Sequence, residues 1–128
     1  MTASPAAINL KLYPFATFSE LTTLQDSLGD PLDLTGKTAR CEIRREDPYS
    51  DPVFLLTTEN GGIQLGGALG TVALELTSDE TGTPVFDPLG EVLYYDVLLT
   101  TPGGSDDTVE RIFGGFIYVL PGITRPAA

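Results

Sequence analysis

Histidine and tryptophan are both absent from this chain of 128 residues, cysteine occurs once, and positive charge is scarce. The missing histidine excludes metal sites built on imidazole and catalytic triads that need a histidine base. Only 7 lysines and arginines stand against 18 aspartates and glutamates, so the formal net charge is −11. Such a charge repels the phosphate backbone of nucleic acids and the surface of anionic membranes. The composition therefore predicts a compact acidic domain that uses neither nucleic acid nor membrane as a partner.

The single cysteine, Cys41, excludes a disulfide within the chain. It alternates with Arg40 and Glu42, which predicts a small buried hydrophobe rather than a reactive thiol. The first seven residues lack the basic and apolar regions of a signal peptide. No apolar run approaches the roughly 20 residues that span a bilayer. We therefore expect synthesis and folding in a reducing cytosol.

Apolar and polar residues alternate along most of the chain, which is the pattern of half-buried β-strands. The predicted strands are residues 8–13, 15–24, 37–45, 53–58, 63–65, 71–77, 92–100 and 108–120. Ser78 is expected to cap a single helical turn, which Pro84 ends. Gly114-Gly115 interrupts the last strand and predicts a bulge or a close backbone approach. About seven or eight strands with turn signals between them predict an all-β fold, an antiparallel β-sandwich in preference to a small barrel.

We expect one domain, because no interior linker is long enough to separate two. Its predicted bounds are residues 8–123, with tails at residues 1–7 and 124–128. A polar loop at residues 46–52 contains two prolines and follows the arginine-bearing strand.

No catalytic constellation is visible. Asp30 and Asp33 are close in sequence, and Asp106 and Asp107 are adjacent, but both pairs lie in turn-forming segments where a raised pKa is not expected. The aspartates and glycines leave open an incidental weak calcium site, although the spacing of a calcium-binding loop is not met. We predict no enzymatic activity and no catalytic, cofactor or metal site.

The aromatic residues indicate an interaction surface instead. Tyr94 and Tyr95 are consecutive on a strand and must point to opposite faces, so one of them faces outward. Tyr118 and Phe116 flank Ile117 in the same way. Arg40 and Arg44 predict a salt-bridge or interface row on their own strand. Outward aromatics on an acidic domain favour a protein–protein interface, and a carbohydrate platform is the less favoured alternative.

A series of short motifs carries a family resemblance. In chain order they are Ala16-Thr17-Phe18, Pro31-Leu32-Asp33-Leu34-Thr35-Gly36-Lys37-Thr38-Ala39, Ile43-Arg44, Gly61-Gly62-Ile63, Gly70-Thr71-Val72-Ala73-Leu74-Glu75-Leu76-Thr77, Thr81, Tyr95-Asp96-Val97, Arg111-Ile112-Phe113-Gly114-Gly115 and Pro121-Gly122-Ile123-Thr124. With these the chain resembles a family of small virion proteins of tailed bacteriophages and prophages, similar to the N-terminal domain of phage baseplate upper proteins. The resemblance covers residues 8–125.

The resemblance implies an immunoglobulin-like β-sandwich without enzymatic activity. It implies a structural protein made in the host bacterial cytoplasm and built into the virion in multiple copies, at the tail, neck or baseplate. The expected partners are other virion proteins, and the charge predicts a monomer when the protein is alone. The alternatives are a head decoration protein and a host-facing module that binds carbohydrate or calcium.

Within the resemblance, Asp33, Thr35 and Gly36 are expected to form a structural turn rather than a site. Two departures bear on the partner. Tyr13-Pro14-Phe15 replaces the usual basic-polar-Gly approach to the first strand, which makes Tyr13 and Phe15 candidate interface residues. Residues 49–52 lengthen the loop after the arginine strand.

Overall fold

The structure, a computed structural model, describes residues 6–45 and 50–122. Within these ranges the chain forms nine strands, one short α-helix and a 3-10 turn at Gly67–Leu69. The strands are β1 (Ala6–Ala7), β2 (Leu10–Leu12), β3 (Phe18–Thr23), β4 (Thr38–Arg44), β5 (Phe54–Thr57), β6 (Ile63–Leu65), β7 (Thr71–Leu76), β8 (Glu91–Thr101) and β9 (Thr108–Val119), and the helix is α1 (Ser78–Gly82). The expected tail at residues 124–128 and most of the expected loop at residues 46–52 lie outside the described ranges.

Two sheets face each other, which confirms the predicted all-β sandwich. The larger sheet has the order β1-β9-β8-β4-β5, with β2 also paired to β9, and the smaller sheet has the order β3-β7-β6. This division of consecutive strands between two sheets is that of an immunoglobulin-like sandwich. The prediction of an antiparallel fold needs one correction, because β1 and β2 both run parallel to β9.

The period-two pattern sets the core. Alternate residues of the predicted strands point into the space between the sheets, and their neighbours point outward. The largest side chains buried there are Phe113, Leu12, Leu34, Ile43, Leu56, Ile63, Leu74, Leu93 and Ile117. Cys41 is buried among them, as the alternation predicts.

The first strand is split in two and begins earlier than predicted. Ala6–Ala7, expected in the N-terminal tail, pair with Phe113 and Gly114 of β9. Pairing resumes at Leu10, and between the two segments the side-chain oxygen of Asn9 accepts the N–H of Phe116 at 3.1 Å. This split raises the strand count to nine.

The predicted close approach at Gly114-Gly115 is confirmed, and the bulge lies beside it. A Cβ on Gly115 would come within 2.5 Å of the carbonyl oxygen of Ile8, and one on Gly114 within 2.7 Å of that of Tyr95. The register of β8 against β9 shifts at Ile112, two residues before the glycines. Gly115 therefore lets the first strand lie directly against β9, whereas Gly114 allows the close approach of β8.

The second strand starts at Phe18 rather than residue 15. Phe15 adopts a positive φ of 67° and its ring lies over Gly82 of α1. The predicted helical cap was wrong by one residue. Thr77, not Ser78, accepts the N–H of Glu80, and the Glu80 carboxylate accepts the N–H of Thr77, which completes a capping box.

Candidate interaction surface

The outer face of the larger sheet carries a cluster of exposed aromatic side chains. Tyr94, Phe116 and Tyr118 are 43, 41 and 39% exposed. They point outward because their neighbours on β8 and β9 fill the core: Leu93, Tyr95, Ile117 and Val119 are all buried.

The three rings form one continuous surface. Tyr94 and Phe116 are directly opposite across β8 and β9, with ring centroids 5.3 Å apart in an edge-to-face arrangement at 77°. The Phe116 and Tyr118 rings are 6.5 Å apart, and Val92 lies opposite Tyr118. We call Val92, Tyr94, Phe116 and Tyr118 the aromatic patch. Singly exposed apolar side chains are common, whereas contiguous exposed apolar groups are a feature of interaction surfaces.

Positive charge is concentrated on the same face. Lys11 lies opposite Tyr118, Arg44 opposite Tyr94, and Arg40 and Arg111 both opposite Leu98. Four of the seven lysines and arginines of the chain are thus on the outer face of the larger sheet.

Two carboxylates partly neutralise these cations. Glu42 lies between two arginines of β4, 2.7 Å from Arg44 and 3.8 Å from Arg40. Asp96 pairs with Arg111 at 2.6 Å. These pairs are solvated and add little stability, and of the three arginines Arg44 lies directly opposite a residue of the aromatic patch, Tyr94, whereas Arg40 and Arg111 lie farther along the sheet, opposite Leu98. Four positive and two negative groups give this face a local charge of +2 on a chain of −11.

The outer face of the smaller sheet has a different character. Its outward positions on β3 and β7 are Ser19, Leu21, Thr23, Thr71, Ala73 and Glu75. Among the strand residues that the structure describes there, none is aromatic or positively charged. The aromatic patch and the cations therefore distinguish one face of the sandwich from the other.

The predicted interface residues are only partly brought together. Tyr94 and Tyr118 belong to the aromatic patch, and Arg40 and Arg44 lie on the same face. Tyr13 is exposed in the turn after β2, and Phe15 is half-buried against α1. The ring of Phe15 thus stabilises the fold instead of joining the patch.

Phe116, which the alternation places beside Tyr118 around the buried Ile117, is part of this surface. Sequence reasoning missed Val92 and Lys11. Val92 and Lys11 join the surface through strand register, which the alternation pattern does not contain.

The predicted turn has the expected geometry. The Asp33 carboxylate accepts the backbone N–H of Thr35 at 3.0 Å and its hydroxyl at 2.6 Å, and these bonds lower the pKa of Asp33. Gly36 has φ 78°, and Leu34 is buried and donates its N–H to Gly67. The carboxylate of Asp33 is thus used within the turn.

The groups with raised pKa values are core residues. Burial raises the pKa of the Cys41 thiol, with a smaller contribution from the carboxylates of Asp96 and Glu42. Burial also raises the pKa of Tyr95, whose hydroxyl donates to the carbonyl of Ile8 at 2.7 Å. Both groups stay protonated in the fold, so neither is an activated nucleophile.

The described residues line several clefts, of which two are open to solvent and moderate in size. One of about 410 Å³ is lined by Leu55, Asn60, Glu75 and the start of α1, and one of about 380 Å³ by Leu24, Leu32, Lys37 and Arg111, among others. Within residues 6–45 and 50–122, no group of three or more Cys, Asp or Glu side chains is placed to hold a metal ion. None of the helices in these ranges is long and apolar enough to cross a membrane.

No protein-family model matches the chain, and a search of the curated proteins finds no match.

Proposed function

We propose that this protein is a non-enzymatic structural component of a tailed-phage virion. It docks in multiple copies on the tail, neck or baseplate as an adaptor or accessory component. The motif series supports the virion assignment, and the aromatic patch supports docking. The single observation that carries the docking surface is the continuous row of exposed rings at Tyr94, Phe116 and Tyr118.

The aromatic patch has the composition of an interface centre. Tyrosine, phenylalanine and arginine are enriched in protein–protein interfaces, and a few such residues supply most of the binding energy. Because the rings stand on two paired strands of a packed sheet, they are already ordered before binding. Docking then costs little conformational entropy.

Charge gives the docking a direction. With +2 on the outer face of the larger sheet, the rest of the chain carries −13 to reach the total of −11. Free copies repel one another at low salt, which keeps the protein monomeric when it is alone. A partner that covers the aromatic patch and surrounds it with acidic groups is attracted to this face, because the outer face of the larger sheet carries a net positive charge.

The test uses particles released from the bacterium that carries the gene. The double variant Tyr94→Ser with Phe116→Ser removes two adjoining rings at exposed positions, and Leu28→Ser, at a turn residue 84% exposed, is the matched control. Copies per particle are counted by quantitative mass spectrometry. We expect wild type and Leu28→Ser to be incorporated equally and the double variant to be lost from particles.

Other results separate the alternatives. Equal incorporation of the double variant contradicts the docking surface, and absence of the wild-type protein from particles contradicts the virion assignment. Gold-labelled antibody on intact particles distinguishes a tail, neck or baseplate position from a head position. Glycan binding by the free protein that disappears in the double variant would favour the recognition module instead.

A further inference from the structure

The smaller sheet ends in an open strand. Within residues 6–45 and 50–122, β3 pairs with β7 on one side and no strand pairs with it on the other, because β1 and β2 both pair with β9 of the larger sheet. The N–H of Leu24 donates to Gly70, which fixes the phase of this antiparallel ladder. Phe18, Glu20 and Thr22 therefore bond to β7, and the backbone groups of Ser19, Leu21 and Thr23 face the open side.

The other strands that end a sheet are shorter or capped. β2 and β6 have three residues each, whereas β3 has six. The outer side of β5 is covered by the side chain of Asn60, which donates to the carbonyl of Leu55 and accepts the N–H of Thr57, both at 2.9 Å. Among the described strands that end a sheet, β3 thus offers the longest open row of backbone donors and acceptors.

We propose that β3 pairs antiparallel with β3 of a second copy, with Leu21 opposite Leu21. Ser19 then lies opposite Thr23 of the second copy, and Thr23 opposite its Ser19. The backbone N–H and C=O groups of Ser19, Leu21 and Thr23 on each strand then all have partners, in about six hydrogen bonds in total. The two smaller sheets become one continuous sheet across a two-fold axis.

Side chains and charge favour this register. Glu20 is the one charged residue on β3, and it falls opposite Thr22 of the second copy, whose hydroxyl can donate to it. A shift that sets Ser19 opposite Leu21 would place the two Glu20 carboxylates opposite each other, which is destabilising. A shift in the other direction leaves Ser19 without a partner.

The outer side chains also complement each other. Leu21 is 68% exposed and lies beside Ala73 of β7. In the proposed pair, the two Leu21 side chains meet at the axis with one Ala73 on each flank. This short apolar row covers the most exposed aliphatic side chain of the smaller sheet.

The contact is independent of the docking surface, because β3 and the aromatic patch belong to different sheets. The charge of −11 on each copy opposes it in dilute solution at low salt. Salt weakens this repulsion, and docking side by side overcomes it by raising the local concentration. The pair is therefore a contact between neighbouring copies in an assembly and a transient one in free solution.

Cross-linking through one introduced surface cysteine tests the pair in the purified full-length protein. In the Leu21→Cys variant the Cα atoms of the two introduced cysteines lie about 5.5 Å apart across the axis. This is within the range of about 4.4–6.8 Å between Cα atoms that disulfides span. The native Cys41 is buried and does not compete. In a glutathione redox buffer with added salt, we expect Leu21→Cys to form disulfide dimers about tenfold faster than Leu28→Cys.

Register is tested with the neighbouring positions. Ser19→Cys alone and Thr23→Cys alone should cross-link no faster than Leu28→Cys, whereas an equal mixture of the two should give mixed dimers rapidly. Thermal melts of each reduced variant show that it is folded. Equal rates for Leu21→Cys and Leu28→Cys would overturn the pairing, and rapid self-cross-linking of Ser19→Cys would overturn the register. Because no particle is involved, neither outcome bears on the docking surface.

Discussion

Replacement of Gly115 by alanine tests how the first strand is attached. The added Cβ would lie 2.5 Å from the carbonyl oxygen of Ile8 and 2.8 Å from the side-chain oxygen of Asn9. Real Cβ atoms do not approach backbone oxygens this closely, so the segment between β1 and β2 must move away from β9. The prediction is a loss of stability without loss of the fold.

The magnitude follows from the contacts that this segment makes. Ile8 donates its N–H to Gly114 at 2.9 Å and accepts the Tyr95 hydroxyl at 2.7 Å, and Asn9 accepts the N–H of Phe116 at 3.1 Å. At about 1 kcal/mol of net stability for each hydrogen bond, their weakening costs about 2–4 kcal/mol. For a domain of this size the melting temperature should fall by about 8–15 °C.

Urea unfolding is the assay, with Gly122→Ala as the control, since a Cβ there meets nothing within 4 Å. Tyr95→Phe alone should cost about 1–2 kcal/mol. It should cost less in the Gly115→Ala background, because both changes act through the Ile8 carbonyl. A free energy of unfolding for Gly115→Ala equal to that of Gly122→Ala would refute the close approach. If the losses of unfolding free energy from Gly115→Ala and Tyr95→Phe simply add in the double variant, the shared contact at the Ile8 carbonyl would be refuted.

Two further predictions concern the β5 edge and the core. Asn60→Ala should lower the free energy of unfolding by about 1–3 kcal/mol in urea titration, because two backbone groups of β5 lose their partners; an unchanged midpoint would contradict the capping role. Stability should fall as pH rises from about 9, because the ordinary pKa values of 9.0 for Cys41 and 10.0 for Tyr95 are raised by burial and the unfolded chain releases these protons first. Melting curves against pH should show a shallower alkaline decline for the double variant Cys41→Ala with Tyr95→Phe than for wild type, and an identical decline would contradict this origin.

The alternation of side chains is enough to predict the fold class and the core. Each strand with one apolar face has only one way to bury it, and this rule alone assigns Val72, Leu74 and Val97 to the core, where all three are buried. The same rule places Tyr94 and Tyr118 outside.

Which strands pair with each other cannot be predicted from the alternation of side chains. Periodicity is a property of one strand, whereas the parallel pairing of β1 and β2 with β9 depends on contacts between opposite ends of the chain. For this reason the sequence does not reveal that β3 has an open side. It also does not reveal that Lys11 and Arg44 flank the same rings. The cap from Asn60 to β5 is likewise a contact between a turn and the edge of the strand before it.

The most direct test of the docking surface is hydroxyl-radical footprinting of the protein, free and in intact particles. Tyr94, Phe116 and Tyr118 are predicted to be oxidised readily in the free protein and protected in particles. Leu28 and Leu89, both highly exposed in loops, serve as internal references. Equal oxidation of the three rings in both states, with the protein present in the particles, would contradict the account.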